Sequence, residues 1–244
     1  MIATDGSAIA SPFMLEQLIL APGKRAELLV QGNQEPGEYR LLNWPFNPAR
    51  GGSGSSGGMM SRMHGASSAS KSALNRSETV ATLSYSGEVT SVPLPTQLIS
   101  VAPLPKAQTT RQFTLNHGMS EERSGAMMGG MGGGMTFVIN GKAFDHSRVD
   151  TQVKLGTVED WEIINADPHG MAHPFHVHIN KFQILSLNDQ PIPYTVWKDV
   201  VSVGPGDRIK LRIAFDDYVG KTVYHCHVLD HEDLGMMGTL EIVA

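Results

Sequence analysis

His225-Cys226-His227-Val228-Leu229-Asp230-His231-Glu232-Asp233-Leu234-Gly235-Met236 holds the only cysteine among the 244 residues, set between two histidines and followed by a third histidine and a methionine. A thiolate, two imidazoles and a weak axial thioether form the trigonal ligand set of a blue-copper electron-transfer site, and soft sulfur favours copper over harder metals. The stretch supplies Cys226, His231 and Met236. The second imidazole has to come from elsewhere, and the upstream run His173-Pro174-Phe175-His176-Val177-His178 offers it, with His173 as the candidate.

Side chains alternate faces along a strand, so His225 and His227 point one way and Cys226 the other. His176 and His178 share that alternation. Two such strands present four imidazoles to a second, multinuclear centre, with Cys226 as the covalent bridge for electrons between the centres. Two plainer readings compete: a cysteine that is a small buried hydrophobe among satisfied core imidazoles, or a zinc site. Zinc has no need of Met236, nor of imidazoles spread over two strands.

The segments HPFHVH and HCHVLDHEDLGMM resemble the third and fourth copper signatures of multicopper oxidases, closest to the laccase and cuprous oxidase branches. The resemblance implies copper as cofactor, held at a type 1 site by His173, Cys226, His231 and Met236. It assigns His176 to a type 2 copper, and His178, His225 and His227 to type 3 copper. The implied fold is all-β, a cupredoxin-like Greek-key β-sandwich. The implied activity is one-electron oxidation of phenols, aromatic amines or Cu(I) at the type 1 copper, coupled to reduction of O2 to water. Electrons would enter at the edge of His231 or His173, and export to the periplasm or out of the cell is implied for the whole protein.

In this family the trinuclear cluster takes four further histidines from two His-x-His motifs of an N-terminal domain. None of the ten histidines forms such a motif outside the two clusters already described. The expectation is therefore a chain that completes the mononuclear site and half of the oxygen-reducing one. The remaining imidazoles would come from an N-terminal cupredoxin domain, or from a second copy offering its own His176, His178, His225 and His227. The alternative is a mononuclear blue-copper electron carrier or copper-binding protein without oxidase activity.

Residues 1 to 105 read as the later part of a second cupredoxin-like domain. Apolar runs at Phe13 to Leu20, Ala26 to Val30, Tyr39 to Leu42 and Val80 to Tyr85 are strand signals, separated by turn residues such as Ala21-Pro22-Gly23. A closed sandwich usually needs about seven strands, so an apolar face or unpaired edge is expected here. A Gly/Ser-rich insert at about 50 to 72, with Met59, Met60, Met63 and His64, is too polar to order itself. Residues 127 to 135 form a second Met/Gly stretch, read either as Cu(I)-binding thioethers or as a plain linker.

Residues 106 to 244 read as one complete all-β domain. Its expected strands cover 112 to 116, 137 to 139, 158 to 164, 182 to 187, 200 to 203, 208 to 215 and 240 to 243, with Asn140-Gly141 as a tight hairpin turn. In the 208 to 215 run Ile209, Leu211, Ile213 and Phe215 alternate with Arg208, Lys210 and Arg212, the pattern of a half-buried strand. No apolar run approaches the roughly 18 residues of a membrane span. A net charge of −5 argues against nucleic acid, and a lone cysteine forms no internal disulfide.

Glu232, directly after His231, is a candidate proton relay to the multinuclear side, the plain alternative being an exposed acidic loop from Asp230 to Asp233. Asp199 is a candidate acceptor for a ligand imidazole, or a turn residue. Met171, two residues before His173, is a candidate substrate contact. His169 stands four before His173, where the cuprous oxidase branch carries an acidic residue.

Overall fold

The computed structural model describes residues 1–32, 35–44, 77–87, 92–118 and 136–244. In chain order the elements are β1 (Ala3–Thr4), β2 (Ser7–Ala8), β3 (Ala26–Glu27), β4 (Gly37–Asn43), β5 (Glu78–Tyr85), β6 (Thr109–Gly118), β7 (Thr136–Ile139), β8 (Thr151–Lys154), β9 (Thr157–Asn165), β10 (His173–Val177), β11 (Phe182–Leu187), β12 (Gln190–Pro191), β13 (Trp197–Lys198), β14 (Val200–Val203), β15 (Arg208–Phe215), β16 (Gly220–Cys226), α1 (Leu229–Asp233) and β17 (Met237–Val243). Contacts group them into two compact units, Val30–Pro93 and Met1–Leu29 with Leu94–Ala244.

In the smaller unit β4 and β5 pair antiparallel, and Tyr39 stacks on Tyr85. Leu41, Val80 and Leu83 on this pair are exposed. The insert at 50 to 72 and the Met/Gly stretch at 127 to 135 lie outside the described residues.

Beside the three-stranded sheet β2-β1-β3, the larger unit holds a sandwich of two sheets, ordered β14-β10-β16-β17-β8 and β12-β11-β15-β9-β6-β7, with β13 on β11. Alternation builds the core between them. Along β15 every second side chain, Ile209 to Phe215, is buried. The outward Lys210 and Arg212 face Glu162 and Asp160 on β9, and Arg212 Nε lies 2.7 Å from Asp160 Oδ1. Across the sandwich Phe113 on β6 meets Tyr224 on β16 at 5.1 Å between ring centroids, and Trp161 on β9 meets the same ring at 5.6 Å. Burial of each such side chain contributes roughly 1.5–3 kcal/mol, and the all-β sandwich rests on that apolar layer.

Asn140-Gly141 forms the expected turn: both residues have positive φ, 52° and 74°, and Ile139 and Lys142 exchange both backbone hydrogen bonds. One expectation fails. Phe13 to Leu20 forms no strand, and Phe13, Met14, Ile19 and Leu20 are exposed. An apolar run becomes a strand only where a neighbour takes its backbone groups, and among the described residues this run has Phe13 N–H donating to the Met1 carbonyl and Met1 ammonium donating to the Phe13 carbonyl, with no strand paired to it. Conversely β8 was not legible as a strand. It is four residues long, and its place comes from parallel pairing with β17, Leu240 opposite Thr151.

Candidate metal centre

Antiparallel pairing of β10 with β16 sets Phe175 opposite Cys226 and His176 opposite His225. Alternation then sends Phe175, Cys226 and Tyr224 into the core, and His176 and His225 to the other side of the sheet. His173, two residues before Phe175, points inward with Cys226, and both are fully buried. One pair of strands thus carries two donor sets on opposite faces.

The inward set is compact. His173 Nδ1 and His231 Nδ1 are 3.1 Å apart, and Cys226 Sγ lies 3.7 Å from the first and 3.6 Å from the second. Those separations suit three donors bound to one ion at about 2.0–2.3 Å each. The chain returns His231 to Cys226 through α1, whose first turn closes when the His231 and Glu232 N–H groups donate to the Val228 carbonyl. Met236 is buried in the same core; its N–H donates to the His231 carbonyl, and its carbonyl accepts from the Cys226 N–H. The His231 ring lies on Phe137 at 4.0 Å, nearly parallel.

Burial sets the electrostatics of this set. It pushes the Cys226 thiol up to about 12 and His231 down to about 4, the neighbouring His173 adding to the second shift. His173 is also lowered by burial, against an opposing pull from Asp167. Without metal the three groups are a thiol and two neutral imidazoles, and a divalent ion must displace the thiol proton to bind there.

Asp167 and His117 are the residues that sequence reasoning missed. Asp167 Oδ2 lies 3.0 Å from His173 Nε2. A carboxylate only accepts, so Nε2 carries the hydrogen and Nδ1 turns its lone pair toward Cys226 and His231. The His169 N–H holds the other carboxylate oxygen at 2.7 Å. Burial works against the Asp167 carboxylate, but the hydrogen bonds from His169 and His173, with His117 close by, outweigh it and hold its pKa low. His117 Nδ1 sits 3.0 Å from the same oxygen Oδ2, without the alignment of a hydrogen bond. Outer partners of metal-bound histidines typically account for a 10–100-fold effect on affinity. Asp167→Ala is expected to weaken copper binding at the inward set by about that factor, measured by competition with a chelator of known affinity; unchanged affinity would remove Asp167 from the site.

The outward set gathers His176, His178, His225 and His227, with ring centroids between 4.8 and 5.4 Å apart for the neighbouring pairs. His178 Nε2 and His225 Nε2 are 2.9 Å apart. His176 Nδ1 donates to the Asp199 backbone carbonyl at 2.7 Å, so Asp199 meets this imidazole through its main chain and not its carboxylate. His225 Nδ1 has the Cys226 carbonyl at 2.9 Å and Glu232 Oε2 at 3.1 Å. Both are acceptors, which leaves Nε2 of His176 and of His225 without the hydrogen, that of His225 facing His178 Nε2. Glu232 therefore touches the outward set, although it directly follows the inward His231. Burial lowers His176 and His178 as well.

Met171 lines a depression of about 470 Å³ against His231, together with Phe137, Asp230, Asp233 and Leu234. His169 lies outside the donor sets, its ring 4.0 Å from that of His117.

Lowered histidines make stability pH-dependent. The unfolded chain protonates His231 near 6.5 whereas the folded chain resists until about 4, so between those values the unfolded state binds more protons. Metal-free protein is expected to keep its full stability above about pH 6.5 and to lose it progressively toward pH 4, measured as the urea midpoint at a series of pH values. A midpoint constant across that window would contradict neutral, buried imidazoles.

Residues 105–243 match the family model described as multicopper oxidase. Over 108 residues the chain is 42% identical to a multicopper oxidase of Staphylococcus haemolyticus, covering 43% of this chain and 24% of that protein. Over 125 residues it is 32% identical to a laccase of Bacillus subtilis, covering 43% of this chain and 24% of the relative. Among solved structures, a multicopper oxidase of Campylobacter jejuni described as a metallo-oxidase superposes with a TM-score of 0.76 at 29% identity, covering all of this chain and 48% of the other. The chain thus spans about half or less of the length of these relatives.

Proposed function

The chain belongs to the multicopper oxidase family, and from that premise we propose that it is the type 1 copper-bearing part of a laccase-like oxidase. Its substrates are phenols, aromatic amines or Cu(I), oxidised one electron at a time, with O2 as the final acceptor once the trinuclear cluster is complete. The observation that carries this reading is the pair of donor sets back to back on β10 and β16, joined through Cys226.

Copper is the cofactor of this family, and the soft sulfur of Cys226 with converging imidazoles fits it; bound there, it supplies reversible one-electron transfer. His173, Cys226, His231 and Met236 are proposed to hold type 1 copper, His176 type 2 copper, and His178, His225 and His227 type 3 copper. The His231 ring borders the depression at Phe137 and Met171, which gives a reducing substrate a short route to the inward set. Cys226 is bonded through the main chain to His225 and His227, so the inward and outward sets share one covalent path. Glu232 holds its carboxylate at His225 Nδ1, where it can deliver protons while the substrate side stays separate.

In this proposal residues 1–105 are the later part of a second cupredoxin-like domain and residues 106–244 the C-terminal one. The other half of the trinuclear cluster comes from an N-terminal domain or from a second copy of the chain. Among the described residues no helix is long and apolar enough to cross a membrane, and a periplasmic or secreted setting is proposed from the family. A mononuclear electron carrier is the second reading, favoured by His173, Cys226 and His231 converging within the one chain.

Copper-loaded chain tests these together. About one copper per chain with a blue band reducible by a phenol, and no oxygen uptake, supports the carrier or half-enzyme. More than two coppers per chain with oxygen uptake supports a completed cluster. Absence of any thiolate band would overturn both.

A further inference from the structure

The loop Ala21-Pro22-Gly23-Lys24-Arg25 lies far from both copper signatures in sequence, yet it packs against the outward imidazoles. Arg25 Nη1 and Nη2 donate to Asp199 Oδ1 and Oδ2, at 2.9 and 2.5 Å, in a two-pronged pair across 174 residues. The same Nη1 donates to the Gly23 carbonyl at 2.7 Å. Asp199 in turn gives its own main-chain carbonyl to His176 Nδ1.

Gly23 backs a second ligand. Its φ is +78°, and a Cβ there would lie 2.4 Å from His227 Cδ2, closer than any side chain can approach. Only glycine meets both requirements, the left-handed backbone and the bare face toward the imidazole.

The loop is itself pinned to β13, which pairs with β11 in the other sheet. The Arg25 N–H donates to Asp5 Oδ1 at 3.2 Å, and the buried Asp5 carboxylate pairs with Lys198 Nζ at 3.2 Å, next in sequence to Asp199. Lys198 also donates to Thr4 Oγ1 at 2.9 Å. Two anchors thus tie the loop to β13 and to the residue that follows it.

We infer that Gly23 and Arg25 are positioning residues for the outward imidazole cluster, Arg25 holding the Asp199 carbonyl that fixes the tautomer of His176, and Gly23 seating the His227 ring. The Arg25 side chain is half exposed, and an ion pair so placed contributes little to stability. A forked guanidinium–carboxylate pair contributes direction more than energy, and direction is what a carbonyl facing His176 Nδ1 requires. The inference rests on the reading of His176 and His227 as copper ligands, but its first test needs no copper.

In the metal-free full chain, histidine-resolved nitrogen NMR reads each tautomer. Wild type is expected to show His176 as the Nδ1–H form. Arg25→Gln is expected to mix its tautomers, while His173, held by Asp167 on the other face, stays unchanged. Arg25→Lys keeps the charge without the fork and is expected to behave like Arg25→Gln, which separates direction from charge and serves if the glutamine variant does not fold. Gly23→Ala is expected to shift the His227 resonances. With copper, Arg25→Gln is expected to lower affinity at the outward cluster by about 10–100-fold and to leave the blue band intact. Identical His176 and His227 spectra in wild type and all variants would overturn the inference. Altered spectra with no copper binding outside the Cys226 site would leave the positioning role standing and instead overturn the assignment of these imidazoles as ligands.

Discussion

Cys226→Ser is expected to abolish the visible thiolate charge-transfer band of copper-loaded protein and to remove one copper per chain. The side chain is fully buried and brings its sulfur to 3.6–3.7 Å from both inward imidazole nitrogens. A hydroxyl is a hard, weakly acidic donor that neither favours copper nor produces the band. The volume change is small, so the fold should survive, and the outward imidazoles should keep their own copper affinity. Visible absorption with copper analysis of the same sample checks this. A persisting blue band would mean that the metal sits elsewhere.

Trp161→Ala is expected to cost about 3–5 kcal/mol of stability, the range for deleting a large buried aromatic side chain. Trp161 is fully buried and touches Phe113 at 4.5 Å and Phe215 at 5.9 Å between centroids. Its indole N–H also donates to Glu159 at 2.9 Å, and Glu159 in turn pairs with Arg111. Typical domains have about 5–15 kcal/mol in total, so roughly a fifth or more of the margin is at stake. Chemical denaturation of the metal-free variant measures it. A loss below about 1 kcal/mol would show that the cavity collapses freely and that the two sheets do not depend on this ring.

The candidate donors were legible in the sequence because their pattern is local. Cys226 between two histidines, and His176 two residues before His178, need only the alternation of a strand to sort into inward and outward groups. The strand at Arg208 to Phe215 was legible for the same reason, since one face is uniformly apolar. Phe13 to Leu20 misled because an apolar run records a preference for burial and does not specify a partner strand, and among the described residues it has none. β8 escaped because four residues give too short a period to stand out, and its pairing with β17 is parallel and distant.

What the sequence by itself determined is the all-β class and the sorting of the candidate donors onto two faces, because strand periodicity acts over a few residues. Only the tertiary structure decided which ring nitrogen of His173, His176 and His225 faces an acceptor. Asp167 reaches His173 by the turn of a loop, Glu232 reaches His225 because α1 bends back on β16, and Arg25 reaches Asp199 across 174 residues. Each of these contacts depends on register and loop path, and a hydrogen bond that selects a tautomer exists only once those have been set.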